Sequence, residues 1–295
     1  MKIRTLPSII GLILIVLGTQ ALAQPSIAPT PALPPINSPA TQTHLPGKFI
    51  WFDLAAPDLN RLKSFYQHVF GWRFETPFPS DDNYTLILNG GKPIAGMFAF
   101  TAPEGEQDGA TWIALMSVSS PAQATAIARE KGGHIELQPT TLAGRGEFAL
   151  LKDPAGALFG VIHSSSGDPI DTDVPMGSFF WLDLFTRNPD TMADFYSALA
   201  PYEREQHPVT DTISRTLLSA NGMVRAGLVP VDEEANRSAW VPYVRVNNVK
   251  DTLQKAIDKG AFAIVLPSPE ILDGNLAVFV DPNGATLGIV KWEGE

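Results

Sequence analysis

The sequence GKFIWFDLAAPDLNRLKSFYQHVFGWRFE at residues 47–75 decides the fold, because it recurs as GSFFWLDLFTRNPDTMADFYSALAPYERE at residues 177–205. The two stretches share these residues at matching positions: Trp51 and Trp181, Asp53 and Asp183, Phe65-Tyr66 and Phe195-Tyr196. A second motif, Asp-Pro-x-Gly, closes each half at residues 153–156 and 281–284. Repeats of this kind indicate two copies of one module, and the surface where the copies meet is the first place to look for a site.

Each copy has the pattern of a strand followed by a helix and further strands. Residues 48–55 alternate in polarity, and apolar side chains then recur at helical spacing from Leu62 to Val69. Asp58 and Gly71 are suited to begin and end that helix. The pattern of strand, helix and strands then returns within each copy. We therefore predict an α+β fold of two tandem modules, each made of paired βαβββ units that form cup-shaped mixed sheets.

The N-terminus has the features of an export signal. Lys2 and Arg4 precede an apolar run at residues 9–17, and Ala21-Leu22-Ala23 supplies the small residues that a signal peptidase accepts. Cleavage before Gln24 would place the protein in the periplasm or outside the cell, whereas an uncleaved signal would act as an anchor. The chain has no cysteine, which excludes disulfides and thiolate chemistry.

Composition and motifs predict how the chain divides into segments and which partners it binds. The predicted segments are a signal peptide at 1–23, a disordered Pro/Ala-rich linker at 24–46, a first module at 47–163, a linker at 164–176 and a second module at 177–293. The net charge is −10 and no basic run occurs, so nucleic acid is not an expected partner. A small molecule is the expected ligand, no membrane contact is expected after signal cleavage, and a homodimer is left open.

The repeated motifs resemble those of the vicinal oxygen chelate superfamily, which includes glyoxalase I, extradiol dioxygenases and bleomycin resistance proteins. The similarity rests on the Phe-Tyr helix and the late Asp-Pro-x-Gly turn, each present twice. Metal-dependent members place a ligand on the first, fifth and eighth strands. By the resemblance, those positions here are Trp51, Trp112 and Gly160, with Trp181, Trp240 and Gly288 in the second copy.

None of these side chains can bind a hard cation, so we expect neither a metal nor a cofactor. The period of a strand places Asp53 on the same face as Trp51, and Asp183 on the same face as Trp181. The eight residues of the two cups are therefore the candidate ligand-binding residues. An aromatic face beside a carboxylate suits a cationic or aromatic molecule. The alternative is that the tryptophans fill the cups and that Asp53 and Asp183 bond to backbone groups or to tyrosine hydroxyls.

Three functions remain open from the sequence, and no catalytic residue is predicted. The first is an exported, metal-free protein that binds a small organic molecule in the cups. The second is a metal-dependent lyase, isomerase or dioxygenase with displaced ligands, using Asp53 or Asp183 with Glu147. The third is a structural or interaction module with filled cups.

Overall fold

The computed structural model describes residues 32–78, 84–100, 109–210, 213–232 and 238–293. In the first module the elements are β1 Phe49–Ala56, α1 Leu59–Phe70, β2 Arg73–Glu75, β3 Tyr84–Asn89, β4 Lys92–Ala99, β5 Thr111–Ser117, α2 Pro121–Glu130, β6 His134–Leu142, β7 Gly146–Lys152 and β8 Leu158–Ser164. In the second they are β9 Phe179–Thr186, α3 Pro189–Leu199, β10 Glu203–Pro208, β11 Ser214–Ala220, β12 Met223–Pro230, β13 Ala239–Arg245, α4 Val249–Asp258, β14 Phe262–Val265, a 3-10 turn at Leu272–Gly274, β15 Leu276–Val280 and β16 Thr286–Val290.

Each module forms one eight-stranded mixed sheet. The strand order is β2-β3-β4-β1-β5-β8-β7-β6 in the first sheet and β10-β11-β12-β9-β13-β16-β15-β14 in the second. β1 and β5 pair antiparallel at the centre of the first sheet, and β9 and β13 do so in the second. Two βαβββ units therefore join through their first strands in each module, and the predicted α+β fold of two tandem modules is confirmed.

The helices form where local chemistry favours them. The Asp58 carboxylate accepts a hydrogen bond from the backbone N–H of Arg61 at 3.0 Å and so caps α1, while Gly71 ends that helix at a φ of 74°. Leu62 and Val69 lie on the buried face of α1. That face belongs to a single core that contains buried residues of both modules, so the modules are not independently packed bodies.

A chain of hydrogen bonds crosses the boundary between the modules. The Tyr66 hydroxyl on α1 donates to Oδ2 of Asp281 at 2.7 Å, and Trp112 Nε1 donates to the Tyr66 oxygen at 3.2 Å. The other carboxylate oxygen of Asp281 accepts the backbone N–H groups of Asn283 and Ala285. The repeated tyrosine thus binds the repeated Asp-Pro-x-Gly turn of the opposite module, and the carboxylate is satisfied on both sides.

The reciprocal chain has the same composition. Trp240 Nε1 donates to the Tyr196 oxygen at 2.8 Å, and the Tyr196 hydroxyl donates to Oδ2 of Asp153 at 3.1 Å. Burial raises the pKa of Asp153 and of Asp281, with the bonding tyrosine and the turn amides opposing that rise. We call these six residues the reciprocal clamp.

The prediction of a disordered linker at 24–46 is wrong for its described part. Residues 32–46, here called the strap, lie across the first module. The Leu33 amide donates to the carbonyl of Ala143 at 2.8 Å, and the Asn37 side chain donates to the carbonyl of Gly167 at 2.5 Å. The Pro/Ala-rich composition gave no periodic signal because the strap is held by individual contacts rather than by a regular element.

The remaining N-terminal predictions are outside the described residues. The signal peptide at 1–23 and the linker up to residue 31 fall there, so export stays a prediction. Among the helices that the structure describes, none combines the length and the hydropathy needed to cross a bilayer.

We expect Tyr66→Phe to lower the free energy of unfolding by about 1–3 kcal/mol, because it leaves Oδ2 of Asp281 and the indole N–H of Trp112 without their partner. Urea unfolding followed by circular dichroism measures the loss. His68→Gln, an exposed position on the same helix, is the matched control and should unfold like the wild type. Equal stability of Tyr66→Phe and His68→Gln would show that the clamp does not hold the modules together.

Candidate functional site

The first cup contains the predicted pair Trp51 and Asp53, but a third residue joins them. Asp53 Oδ1 accepts a hydrogen bond from the Tyr84 hydroxyl at 2.7 Å and another from Trp51 Nε1 at 3.1 Å. Tyr84 extends from β3, two strands away from β1. The carboxylate is therefore satisfied by the protein, as the packed-cup alternative predicted.

An internal cation takes the place that a cationic ligand was expected to fill. The guanidinium carbon of Arg145 lies 4.0 Å from the centroid of the Trp51 ring. Arg145 is only 3% exposed. Burial raises the pKa of Asp53, and the charge of Arg145 opposes that rise. Arg145 Nε donates to the carbonyl of Pro34, so the strap also contributes to the closure of this cup.

Apolar residues of the strap complete the closure. Leu33 and Ile36 pack against the cluster of buried side chains that fills the first cup, which includes Trp51, Leu115 and Phe148. Within the described residues, the concave face of this sheet is therefore covered by the protein's own chain.

The second cup contains the same four residue types in a different arrangement. Trp181 Nε1 donates to Oδ1 of Asp183 at 2.7 Å, and the Tyr243 hydroxyl also hydrogen bonds to Asp183. Arg215 Nη1 lies 4.0 Å from the same carboxylate oxygen, and its guanidinium carbon lies 5.2 Å from the Trp181 ring centroid. Burial raises the pKa of Asp183, and Arg215 opposes that rise.

The tyrosine and arginine come from different positions in the two cups, and Arg145 lies in the turn between β6 and β7. Gly96 lies opposite Asp53 and Gly227 lies opposite Asp183, so these glycines are equivalent positions of the two sheets. From that register, Arg215 on β11 occupies the place of Tyr84 on β3. Tyr243 on β13 similarly occupies the place of Leu115 on β5. Sequence analysis missed these residues because they do not recur at equivalent positions.

Gly160 and Gly288 lie on the eighth strand of each sheet, as predicted, but there is no room beside them. A Cβ at Gly160 would lie 2.3 Å from Leu115 Cδ2, and one at Gly288 would lie 2.1 Å from the Tyr243 ring. The family's ligand position on this strand is therefore occupied by neighbouring side chains in both cups.

The predicted positions of Trp112 and Trp240 are wrong. β5 pairs with β1 so that Ile113 lies opposite Asp53 and Trp112 lies opposite Leu54. Trp112 therefore points to the shared core, where it joins the reciprocal clamp, and Trp240 does the same in the second module. The strand was predicted correctly, but the side chains that face the cup are those next to the predicted ones.

A cleft of about 970 Å³ lies where the modules and their linker meet. It is lined by the first residues of β1, β4, β9 and β12, by linker residues 169–175, and by Trp51 and Trp181. Its exposed apolar residues are Ile170 at 61%, Met223 at 49%, Val224 at 42% and Trp292 at 39%. Apolar side chains that remain exposed around a concave surface are typical of a ligand-binding site.

Asp171 fixes the linker beside this cleft. Arg225 forms a bidentate pair with its carboxylate at 2.6 and 3.0 Å, and Lys48 Nζ lies 2.8 Å from it. The hydrogen bonds from Arg225, together with Lys48, lower the pKa of Asp171 to about 2. The carboxylate therefore stays ionised at neutral pH and ties the linker to both modules.

Comparison with known proteins agrees with this architecture. Residues 48–161 match the model of the Glyoxalase/Bleomycin resistance protein/Dioxygenase superfamily. The anthracycline biosynthesis protein DnrV of Streptomyces peucetius is 27% identical over 264 residues, which cover 83% of this chain and 94% of that protein. The putative glyoxylase CFP32 of Mycobacterium bovis is 24% identical over 245 residues, or 82% of this chain and 93% of that protein.

The first module is thus similar to this superfamily over nearly its whole length, and the second module repeats its fold. Solved structures show the shared fold. A manganese(II)-bound glyoxalase from Novosphingobium aromaticivorans superposes with a TM-score of 0.56 at 15% identity, over 84% of this chain and 83% of that one. A variant of homoprotocatechuate 2,3-dioxygenase from B. fuscum gives 0.57 at 12% identity, over 87% and 74%.

The residues at the superfamily's metal positions do not fit a metal ion. The side chains of Trp51 and Gly160 offer no atom that can ligate a metal, and neither does that of Leu115 on β5, the strand between β1 and β8. Within the described part of the chain, no group of three or more His, Asp or Glu side chains is placed to hold a metal. Asp53 and Glu147, which the displaced-ligand hypothesis used, belong to no such group.

We expect Asp53→Asn to change how the stability of the protein depends on pH, because the substitution removes a buried carboxyl group. Because burial raises the pKa of Asp53 above its ordinary value of 3.8, the native state holds a proton that the unfolded chain releases. The protonated carboxyl thus adds stability that is complete below pH 3.8 and is lost as the pH rises through the raised pKa. The asparagine retains an acceptor but cannot ionise.

The measurement is urea unfolding of both proteins over a series of pH values. The free energy of unfolding of the wild type, relative to Asp53→Asn, should fall as the pH rises through this window. Asp183→Asn repeats the experiment in the second cup. Curves that stay parallel at every pH would contradict the assignment of a buried carboxyl with a raised pKa.

Proposed function

We propose that this protein binds a small aromatic molecule in the cleft between its modules. The observation that carries the proposal is the cleft itself, which is concave, walled by exposed apolar side chains and formed by both modules. Both cups, by contrast, have their Trp and Asp side chains engaged by an internal tyrosine and arginine. The ligand predicted for the cups is therefore assigned to the cleft, where Trp51 and Trp181 remain candidate contacts.

The lining of the cleft favours a flat ligand. Trp292 and Phe180 lie together with ring centroids 5.9 Å apart, and Trp181 lines the same space. Aromatic rings interact well with other rings in offset or edge-on arrangements. Lys48 and Arg225 both pair with the single carboxylate of Asp171, so these three groups together leave one positive charge at the edge of the cleft.

The size of the cleft agrees with this class of ligand. Its volume is at the upper end of the roughly 300–1,000 Å³ typical of small-molecule sites, which suits a ligand of several rings. The relative from Streptomyces peucetius is named for anthracycline biosynthesis, so an anthracycline is a reasonable first probe. The proposal is a binding function without a bound metal, in an exported protein released by cleavage after Ala23.

The test is titration of a panel of flat aromatic compounds, an anthracycline among them, by calorimetry. We expect Trp292→Ala to weaken the binding of a compound that the wild type binds, by about tenfold, because one aromatic contact of about 1 kcal/mol and its buried area are lost. Leu272→Ala is the matched control, since Leu272 and Trp292 are both 39% exposed and Leu272 lies outside the cleft.

Two results would count against the proposal. One is the absence of heat and of tryptophan fluorescence change with every compound of the panel. The other is an equal loss of affinity in Leu272→Ala and Trp292→Ala, which would place the ligand elsewhere. Unchanged thermal unfolding of both variants confirms that the comparison is made between folded proteins.

A further inference from the structure

The cleft between the modules carries more positive than negative groups, although the chain as a whole is acidic. Among the described residues that line it, the basic ones are Lys48, Lys92 and Arg225 and the acidic ones are Asp171 and Asp173. The whole chain has 31 acidic and 21 basic residues and a net charge of −10. The cleft therefore differs in sign from the protein around it, and such a local charge selects among ligands.

Two of these cations share one counterion. Lys48 Nζ lies 2.8 Å from Asp171 Oδ1, and Arg225 Nη1 lies 2.6 Å from the same oxygen. The side chains of Lys48 and Arg225 are only 15% and 4% exposed, respectively. Arg225 alone bonds both oxygens of the carboxylate, so holding the linker does not require the second cation. One largely buried positive charge is left over, and an anion in the cleft would balance it.

Lys48 also has a hydrogen-bond donor to spare. Its ammonium group carries three N–H donors. One of them is directed at Asp171, and another donates to the carbonyl of Pro169. Within the described residues the third has no acceptor, and Lys48 itself lines the cleft. An acceptor atom of a ligand can therefore bond to Lys48 without displacing Asp171.

The surplus charge does not come from the repeat. Lys48 corresponds to Ser178 in the second copy, and Arg225 corresponds to Ile94 in the first. Ser178 and Ile94 line the same cleft and have no charge. Neither cation is needed to build a module, since each module forms the same sheet with only one of them.

We propose that the molecule bound in the cleft is an aromatic acid, whose carboxylate bonds to Lys48 while its rings contact the apolar wall. This inference rests on the proposed binding function and adds to it the charge of the ligand. Phe180, Trp181 and Trp292 supply the aromatic surface. An ammonium group bonds a carboxylate more strongly than a neutral acceptor. The cationic ligand that the sequence suggested for the cups is not expected here, because the surplus charge would repel it.

The experiment is calorimetric titration of the intact protein with three compounds that share one ring system. They are anthracenecarboxylate, the uncharged anthracenecarboxamide and the cationic anthracenylmethylammonium. The carboxylate and the carboxamide have nearly the same shape, so the ratio of their affinities reports the effect of charge. We expect the wild type to bind the carboxylate about tenfold more tightly than the carboxamide, and the ammonium compound most weakly.

Two variants should move this preference in opposite directions. Lys48→Gln removes the surplus charge, so the carboxylate should bind no more tightly than the carboxamide, whose own affinity should stay the same. Asp171→Asn removes the counterion, so the preference for the carboxylate should increase. Lys255→Gln is the matched control, because it makes the same change of charge at an exposed position of α4 outside the cleft lining. It should keep the wild-type preference, and circular dichroism confirms the fold of each variant.

The outcomes separate this inference from the function on which it rests. If none of the three compounds binds, the proposed function fails and the inference fails with it. If the carboxamide or the ammonium compound binds as tightly as the carboxylate, the cleft remains a ligand site but its ligand is not an acid. An equal loss of affinity for the carboxylate and the carboxamide in Lys48→Gln would show that Lys48 only positions the linker. A loss of the preference in Lys255→Gln would assign it to the overall charge of the protein.

Discussion

The reciprocal clamp is the interaction on which the rest of the structure depends. A buried carboxylate is costly unless each of its oxygens finds a donor. One oxygen of Asp281 accepts amides of its own turn, and the other accepts the hydroxyl of Tyr66 from the opposite module. Asp153 is bonded in the same way, by the amides of its own turn and by the hydroxyl of Tyr196. Neither module can satisfy its own turn alone, so the repeat explains the pairing of the modules as well as their shape.

The clamp also decides which faces of the sheets remain outside the shared core. Trp112 and Trp240 point inward to the clamp, so the opposite faces of β5 and β13 line the cups. There each aspartate next to a tryptophan again needs donors and a nearby cation. Tyr84 and Arg145 supply them in one cup, Tyr243 and Arg215 in the other. The tyrosine and the arginine come from different positions in the two cups, so for these two groups the cups share a chemical requirement and not equivalent residues.

The repeat was enough to predict the fold. It was not enough to predict which way individual side chains face. Matching motifs were enough to place two modules of paired βαβββ units. They did not give the phase of β5, because Trp112 and Ile113 are both apolar and alternation alone cannot say which one faces the cup. The pairing of β1 with β5 is also irregular between Phe49 and Trp51, where Ile50 and Trp51 both join the first cup. A strict period of two therefore fails at this point.

Differences between the copies are more informative about function than the similarities. The shared residues serve the clamp and the interiors of the two cups. Among the described residues, the strap packs against the first cup, and the edge strand β14 exposes Phe262 and Ile264 where its counterpart β6 has His134 and Glu136. The cleft is asymmetric too, since Ile94 of β4 corresponds to Arg225 of β12, and Arg225 holds the linker through Asp171. These are the places where the two copies depart from their shared pattern, and the cleft that we propose as a ligand site is one of them.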